Sequence, residues 1–391
     1  MGRKSQGHLR RSPHAFSELG VQGEGKKKEV TVADTCRDIV RQYGKIVHAT
    51  YSDSLSEAER LEKALQAFVA DPTEETLAAA KTEWVDARHP YLQSEAFRFY
   101  AGPIDDEDGP EPMINGWPMD EFYIDYVEGS SESGIINETS VFPEITKELI
   151  ATMNEKAGET AITSGFHAIE FLLWGQDHND DGPGDRPVSD YVDGPNAERR
   201  GTYLLACADL LTDHLEGLVA EWAPDQPGNF RAEFEAKPPV AAAREILYGI
   251  HTLSGKELAG ERLLVAWDTQ AQEDEHSCFS DMTHLDVQCD AQGIANVYRG
   301  SYRKLDGGNV TGPGIRALVR TLLPDRLEEF DGKVAEMLRN VKVIPAPFDQ
   351  AILGDDESLG RQSIFSAVIS LEDFAAMLSE LDRELVRRPG P

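Results

Sequence analysis

Strand-like alternation, long apolar runs and paired cysteines are all scarce in this chain of 391 residues. The shortage of alternation argues against a sheet protein. No run of about 18 apolar residues occurs, which excludes an ordinary membrane-spanning helix. The four cysteines, Cys36, Cys207, Cys278 and Cys289, match no CxxC zinc or redox spacing. Cys278 and Cys289 are near enough in sequence for a local bridge, which spacing alone does not establish. Basic residues are also in deficit, 38 against 70 acidic, for a formal net charge of −32. Such a surface repels nucleic acid and anionic lipid and attracts cations. No Gly-rich phosphate loop, GxSxG elbow or Cys/His nucleophile pair is present.

What is abundant is helical periodicity broken by Gly/Pro/Asp loops. The pattern predicts helices near 32–53, 56–70, 73–98, 142–156, 160–174, 196–222, 239–254, 257–275, 283–304, 312–339 and 359–387. The fold class expected is all-α, arranged as two helical-bundle domains with a site at their interface. Residues 1–30, basic and polar with no apolar signal core, read as a disordered leader. Residues 31–195 and 196–388 read as the N-terminal and C-terminal domains, hinged at the loop 175–195. An echo between Gly165-Phe166-His167-Ala168-Ile169 and Gly249-Ile250-His251-Thr252-Leu253 raises an internal duplication as the alternative to coincidence. The second copy carries Ser254 where the first carries Glu170.

The stretch Gly165–Gly175, GFHAIEFLLWG, is apolar almost all round and should be buried. His167 and Glu170 interrupt it on one side, three residues apart. A buried carboxylate is costly without a cation or strong donors. Imidazole plus carboxylate is a common metal-ligand pair, and a hydrogen-bonded structural pair is the alternative. Neither HExxH nor HxxEH is formed, because residue 171 is Phe and no His precedes Glu170.

Three other constellations carry polar chemistry. Trp84, Arg88, Tyr91, Glu95 and Arg98 follow helical spacing. They suit a polar cavity or an Arg88–Glu95 brace, with Pro90 bending the stripe. Residues 273–286, EDEHSCFSDMTHLD, hold His276, His284 and several carboxylates within metal-ligand reach. Ser280 or Asp281 is equally placed to cap the following helix. Asp177–Gly182 opens like a calcium loop, but Val188 stands where the twelfth-position Glu belongs. His48, with Tyr51 on the first long helix, is either structural or a ligand.

Together these stretches resemble the imelysin-like family, in particular its iron-regulated, envelope-associated branch. The family's GxHxxE is met by Gly165, His167 and Glu170, and GFHAIEFLLWGQD matches closely. So do residues 87–105 (ARHPYLQSEAFRFYAGPID), 251–263 (HTLSGKELAGERL) and 273–286. The resemblance spans roughly 32–386. It implies a metal-binding protein of bacterial iron uptake, located in the periplasm or cell envelope. Relatives usually carry a secretion or lipoprotein signal, and the N-terminal segment here displays none. The metal implied is iron, with zinc as the alternative. Ligands expected are His167 and Glu170, with His48, Glu95, Asp281 and His284 as further candidates. Trp84, Arg88, Tyr91 and Gly165 would support them. Partners expected are the metal ion or a chelate of it, and iron-uptake components of the envelope. No nucleic acid is expected. Two other functions stay open: a zinc metallopeptidase using the HxxE pair, since some relatives bear a peptidase label, and a non-catalytic structural or interaction module.

Overall fold

A computed structural model describes residues 30–179 and 182–388. The expected leader, apart from Val30, and part of the calcium-like loop lie outside the described residues. The class is all-α, as the periodicity predicts, with one two-stranded hairpin among the described residues.

The first helix, α1 (Val32–Ala70), is capped by Thr31, whose hydroxyl accepts from the Asp34 N–H while the Asp34 carboxylate reaches back. It runs unbroken through the expected gap at 54–55. No Gly or Pro stops it there, and buried Asp53 is held by Tyr302 and the Leu305 N–H. The second, α2 (Glu74–Ser94), starts on Thr73 and contains Pro90 close to its end, then tightens into a 3₁₀ turn, Glu95–Phe97. Next come α3 (Gly165–Trp174), α4 (Ala197–Glu221) and α5 (Pro239–Thr252). A π-helical run, Leu253–Leu264, continues α5 where the sequence predicts an ordinary helix start, and Val265–Thr269 returns to α geometry. Then follow α6 (Thr283–Arg299), the antiparallel hairpin β1 (Ser301–Arg303) and β2 (Asn309–Thr311), α7 (Ile315–Leu322), α8 (Leu327–Lys342) and α9 (Leu359–Arg387).

Helices from both sides of residue 195 pack on α1: α2 before it, and α4, α5 and α7 after it. The α2 helix in turn touches both α3 and α6, which sets one polar stripe between the GxHxxE helix and the 283–299 helix. Every residue of α3 is buried. Phe166, Phe171, Leu172 and Leu173 are each fully enclosed, worth about 1.5–3 kcal/mol apiece against exposure. That anchoring fixes where His167 and Glu170 sit. Among the described residues no helix is long and apolar enough to cross a membrane.

The sequence echo does not occupy equivalent places. Gly165 opens α3 with φ +85°, whereas Gly249 lies inside α5 and packs against the Arg98 carbonyl. Ser254 donates its hydroxyl to the Leu371 carbonyl. The four cysteines are free thiols, so Cys278 and Cys289 form no bridge.

Candidate functional site

Gly165 explains the first letter of GxHxxE. Its φ of +85° is a conformation that side chains disfavour, and a Cβ there would sit 2.4 Å from the Ile114 carbonyl oxygen. Only glycine lets α3 begin this close to the 111–114 turn. One turn later His167 and Glu170 meet, Nδ1 to Oε2 at 2.9 Å. The other Glu170 oxygen accepts from the Ser280 N–H at 3.0 Å and the Ser280 hydroxyl at 2.7 Å. Both carboxylate oxygens are therefore engaged, while His167 Nε2 is buried with no hydrogen-bond partner. With Glu170 ionised, Nδ1 carries the proton and the Nε2 lone pair is free.

Opposite His167 stands His276, ring centroids 4.8 Å apart at 74°. Its Nδ1 lies 2.7 Å from Asp286 Oδ2, so the second imidazole is also braced by a carboxylate. Asp286 accepts further from Arg88 at 2.9 Å and from the Ser277 hydroxyl. Arg88 forks to Asn115 as well, and stands over the rings of Trp84 and Phe166. Trp84 donates its indole N–H to the Phe166 carbonyl, and Tyr91 packs on the Phe166 ring with its hydroxyl unpartnered.

The charges follow from burial and neighbours. Burial pushes the Glu170 carboxyl up to about 8, with Ser280 and Arg88 pulling the other way. Burial, reinforced by Arg88, holds His167 well below the usual imidazole range. The same desolvation, with Arg262 adding to it, keeps His276 neutral. Burial alone would raise Asp286, but Arg88 and His276 outweigh it and hold it well below the ordinary carboxylate range. The centre is thus an ionised Asp286–Arg88 pair supporting two neutral imidazoles.

Several expected residues take other places. The Arg88–Glu95 brace does not form, because each partner finds a closer charge elsewhere. Glu95 pairs with Arg98 and Arg262, both at 2.6 Å, and Arg262 also bonds Asp290 at 2.8 Å. Burial opposes ionisation of Glu95, yet the two guanidiniums bring it down to about 2. His48 is half-buried beside Arg231 and makes no hydrogen bond or ring contact with the His167 centre. His284 lies with Nδ1 3.1 Å from the Asp281 carbonyl. Neither Ser280 nor Asp281 caps α6: Met282 occupies that place without a side-chain bond. Ser280 is committed to Glu170, and Asp281 adopts φ +57° among other carboxylates. His276 and Asp286, part of the stretch that sequence reading singles out, are the pair it did not select. Among the described residues no group of three or more His, Cys, Asp or Glu side chains is arranged to hold a metal ion.

Fold and centre define a class: an all-α protein with a buried pair of carboxylate-braced imidazoles carried by a GxHxxE helix. The imelysin family model matches residues 47–376, and the chain belongs to that family. It is 26% identical over 373 residues to "Iron-regulated protein A" of Synechococcus elongatus, covering 93% of this chain and 88% of that one. A crystal structure from Parabacteroides distasonis, described as an iron-regulated protein A precursor, superposes with TM-score 0.69 at 19% identity. That match covers 90% of this chain and 95% of the other. An imelysin-like protein from Psychrobacter arcticum gives TM-score 0.58 at 11% identity, covering 91% and 95%.

Proposed function

We propose that this protein serves bacterial iron acquisition by binding iron, as the ion or a small chelate, at the His167 centre. The observation that carries this reading is the buried, unpartnered Nε2 of His167, whose ring is held by Glu170 through Nδ1. A carboxylate on one imidazole nitrogen is the usual way proteins orient the other toward a metal. The facing His276, braced by Asp286, offers a second imidazole of the same kind. Glu170 then acts from behind His167 instead of as a direct ligand, since Ser280 and His167 already use its oxygens.

The residues fit iron in part. Imidazoles suit iron, but two of them leave most of its positions open. Oxygen donors from a chelate or water would fill the rest. Iron, when bound, would supply a charge that favours ionised Glu170. The chain's own groups would orient the imidazoles and keep Asp286 charged through Arg88. The name of the Synechococcus relative supports a link to iron supply. We also infer an exported protein of the cell envelope, in line with the precursor description of the Parabacteroides structure.

The test is elemental analysis of wild type, His167→Ala and Glu170→Ala after loading with iron(III) citrate or zinc chloride, alongside a peptide-cleavage assay. Bound iron should fall by about 10–100-fold in Glu170→Ala and further in His167→Ala. Iron retained equally by His167→Ala would sink the proposal. Cleavage that depends on Glu170 would favour the peptidase alternative, and neither metal nor cleavage would favour an interaction module.

A further inference from the structure

The histidine centre is closed on nearly every side. His167, Glu170, His276, Asp286, Arg88 and Ser280 are each at most 1% exposed. Three of its walls are the helices α2, α3 and α6. A fourth is the loop 275–282, which is tied down. Ser280 donates twice to Glu170, and the Ser277 N–H donates to the Thr283 hydroxyl at 3.0 Å. The Gly184 N–H donates to the Phe279 carbonyl at 2.9 Å. A ligand for either imidazole needs a route that these walls do not offer.

The strap 116–119 completes the cover, and it is held differently. Its ends are fixed: the Asn115 N–H donates to the Glu111 carbonyl at 2.9 Å, and the Asp120 N–H to the Thr160 carbonyl at 2.8 Å. Arg88 anchors the Asn115 side chain from the centre itself. Between those ends, Gly116, Trp117, Pro118 and Met119 neither donate nor accept a hydrogen bond among the described residues. Trp117 is half-buried, and its indole lies edge-on to the His276 ring, centroids 5.6 Å apart at 73°. That is its one ring contact among the described residues, and it is not one of the apolar side chains packed on the main core. An aromatic of this size usually anchors a core; here it rests on a histidine instead. A segment with few backbone hydrogen bonds and little apolar packing opens at low free-energy cost.

We propose that Trp117 is the gate of the histidine centre: the strap 116–119 swings about Asn115 and Asp120, lifts the indole from His276 and admits a metal ion or small chelate. The inference rests on the reading that this centre takes a ligand, and it names the way in. Trp117 supplies no ligand atom, because an indole N–H only donates. It therefore controls passage in both directions and leaves affinity to the imidazoles. The strap is also joined to the centre's own bracing. Asn115 accepts from Arg88, Arg88 donates to Asp286, and Asp286 holds His276. Closure of the strap and orientation of the second imidazole are thus linked through consecutive hydrogen bonds.

The experiment follows acylation of the full chain by diethyl pyrocarbonate, read histidine by histidine with mass spectrometry. The reagent attacks the free nitrogen of a neutral imidazole, here the Nε2 that the Glu170 and Asp286 contacts leave open. In wild type His167 and His276 should react slowly against half-buried His48, which lies apart from the centre and serves as the internal reference. Trp117→Ala should raise both rates at least about tenfold relative to His48, since the ring contact favouring the closed form is gone. Trp117→Phe should restore most of the protection. Unfolding would instead speed every histidine together; if the alanine variant does so, Trp117→Leu replaces it with the same selectivity expected. Uptake and release of iron(III) citrate should both accelerate in the variant with little change in equilibrium binding, which separates a gate from a residue that positions the ligand. Rates at His167 and His276 unchanged against His48 would overturn the gate, as would weaker iron binding with no faster uptake. Selective acylation in a protein that binds no iron would sink the iron reading and leave the gate standing.

Discussion

His167 and His276 face one another with ring centroids 4.8 Å apart, and each has Nδ1 held by a carboxylate. Glu170 comes three residues after its histidine on one helix. Asp286 comes ten residues after its histidine, across a loop and into α6. The two braces differ in charge: Arg88 keeps Asp286 ionised, while burial raises Glu170. That asymmetry makes the centre sensitive to different substitutions on its two sides.

Gly165→Ala tests the start of α3. A left-handed alanine costs about 1–2 kcal/mol, and the Cβ would meet the Ile114 carbonyl oxygen at 2.4 Å. Relief of that overlap adds about 1–3 kcal/mol. Thermal or urea unfolding should show the variant clearly destabilised. A melting temperature equal to wild type would mean that Gly165 is not needed for the backbone approach.

Arg88→Leu should be more damaging than its size suggests. It leaves Asp286 buried without its cation and Asn115 without its donor. Breaking a buried pair on one side costs about 3–5 kcal/mol. Arg88→Leu combined with Asp286→Leu should recover part of this loss, because no uncompensated charge remains. A double-mutant cycle by urea denaturation measures the coupling. Strict additivity of the two single losses would refute the assigned pairing.

Between pH 6.5 and 8 the folded chain should lose stability as pH rises, measured in chelator by melting temperature. Glu170, raised to about 8, and Asp281, raised to about 7, keep protons in the folded state that the unfolded chain has already released. Glu275 and Asp290 are raised by burial as well. More protons bound by the folded state means that stability falls with rising pH. His167 and His276, lowered by burial, act with the opposite sign but only below about 6.5. Glu170→Gln should flatten the slope, and a slope unchanged by that substitution counts against the raised carboxyl.

The His167–Glu170 pair was legible because it is local: three residues on one helix put both groups on one side whatever surrounds them. Burial of α3 was legible for the same reason, from its apolar circumference. The Arg88 stripe was legible as a face, but not in its pairings. Arg88 reaches Asp286 and Glu95 reaches Arg262, partners brought in by chain packing from far along the sequence. His276 and Asp286 belong to no shared period, since one lies in a loop and the other in a helix. In that stretch the sequence favoured His284, which in the fold lies beside the Asp281 carbonyl.

The sequence by itself determined the helical class, the buried GxHxxE helix, the need for something to compensate its carboxylate, and the acidic surface. These follow from local periodicity, composition and the cost of burying charge. Tertiary structure decided that a serine and a histidine, not a guanidinium, meet Glu170. It also decided that a second histidine faces the first, braced by a carboxylate that a separate helix brings in. Such choices depend on which distant groups reach one another first when the helices pack. Spacing along the chain carries no record of that contest.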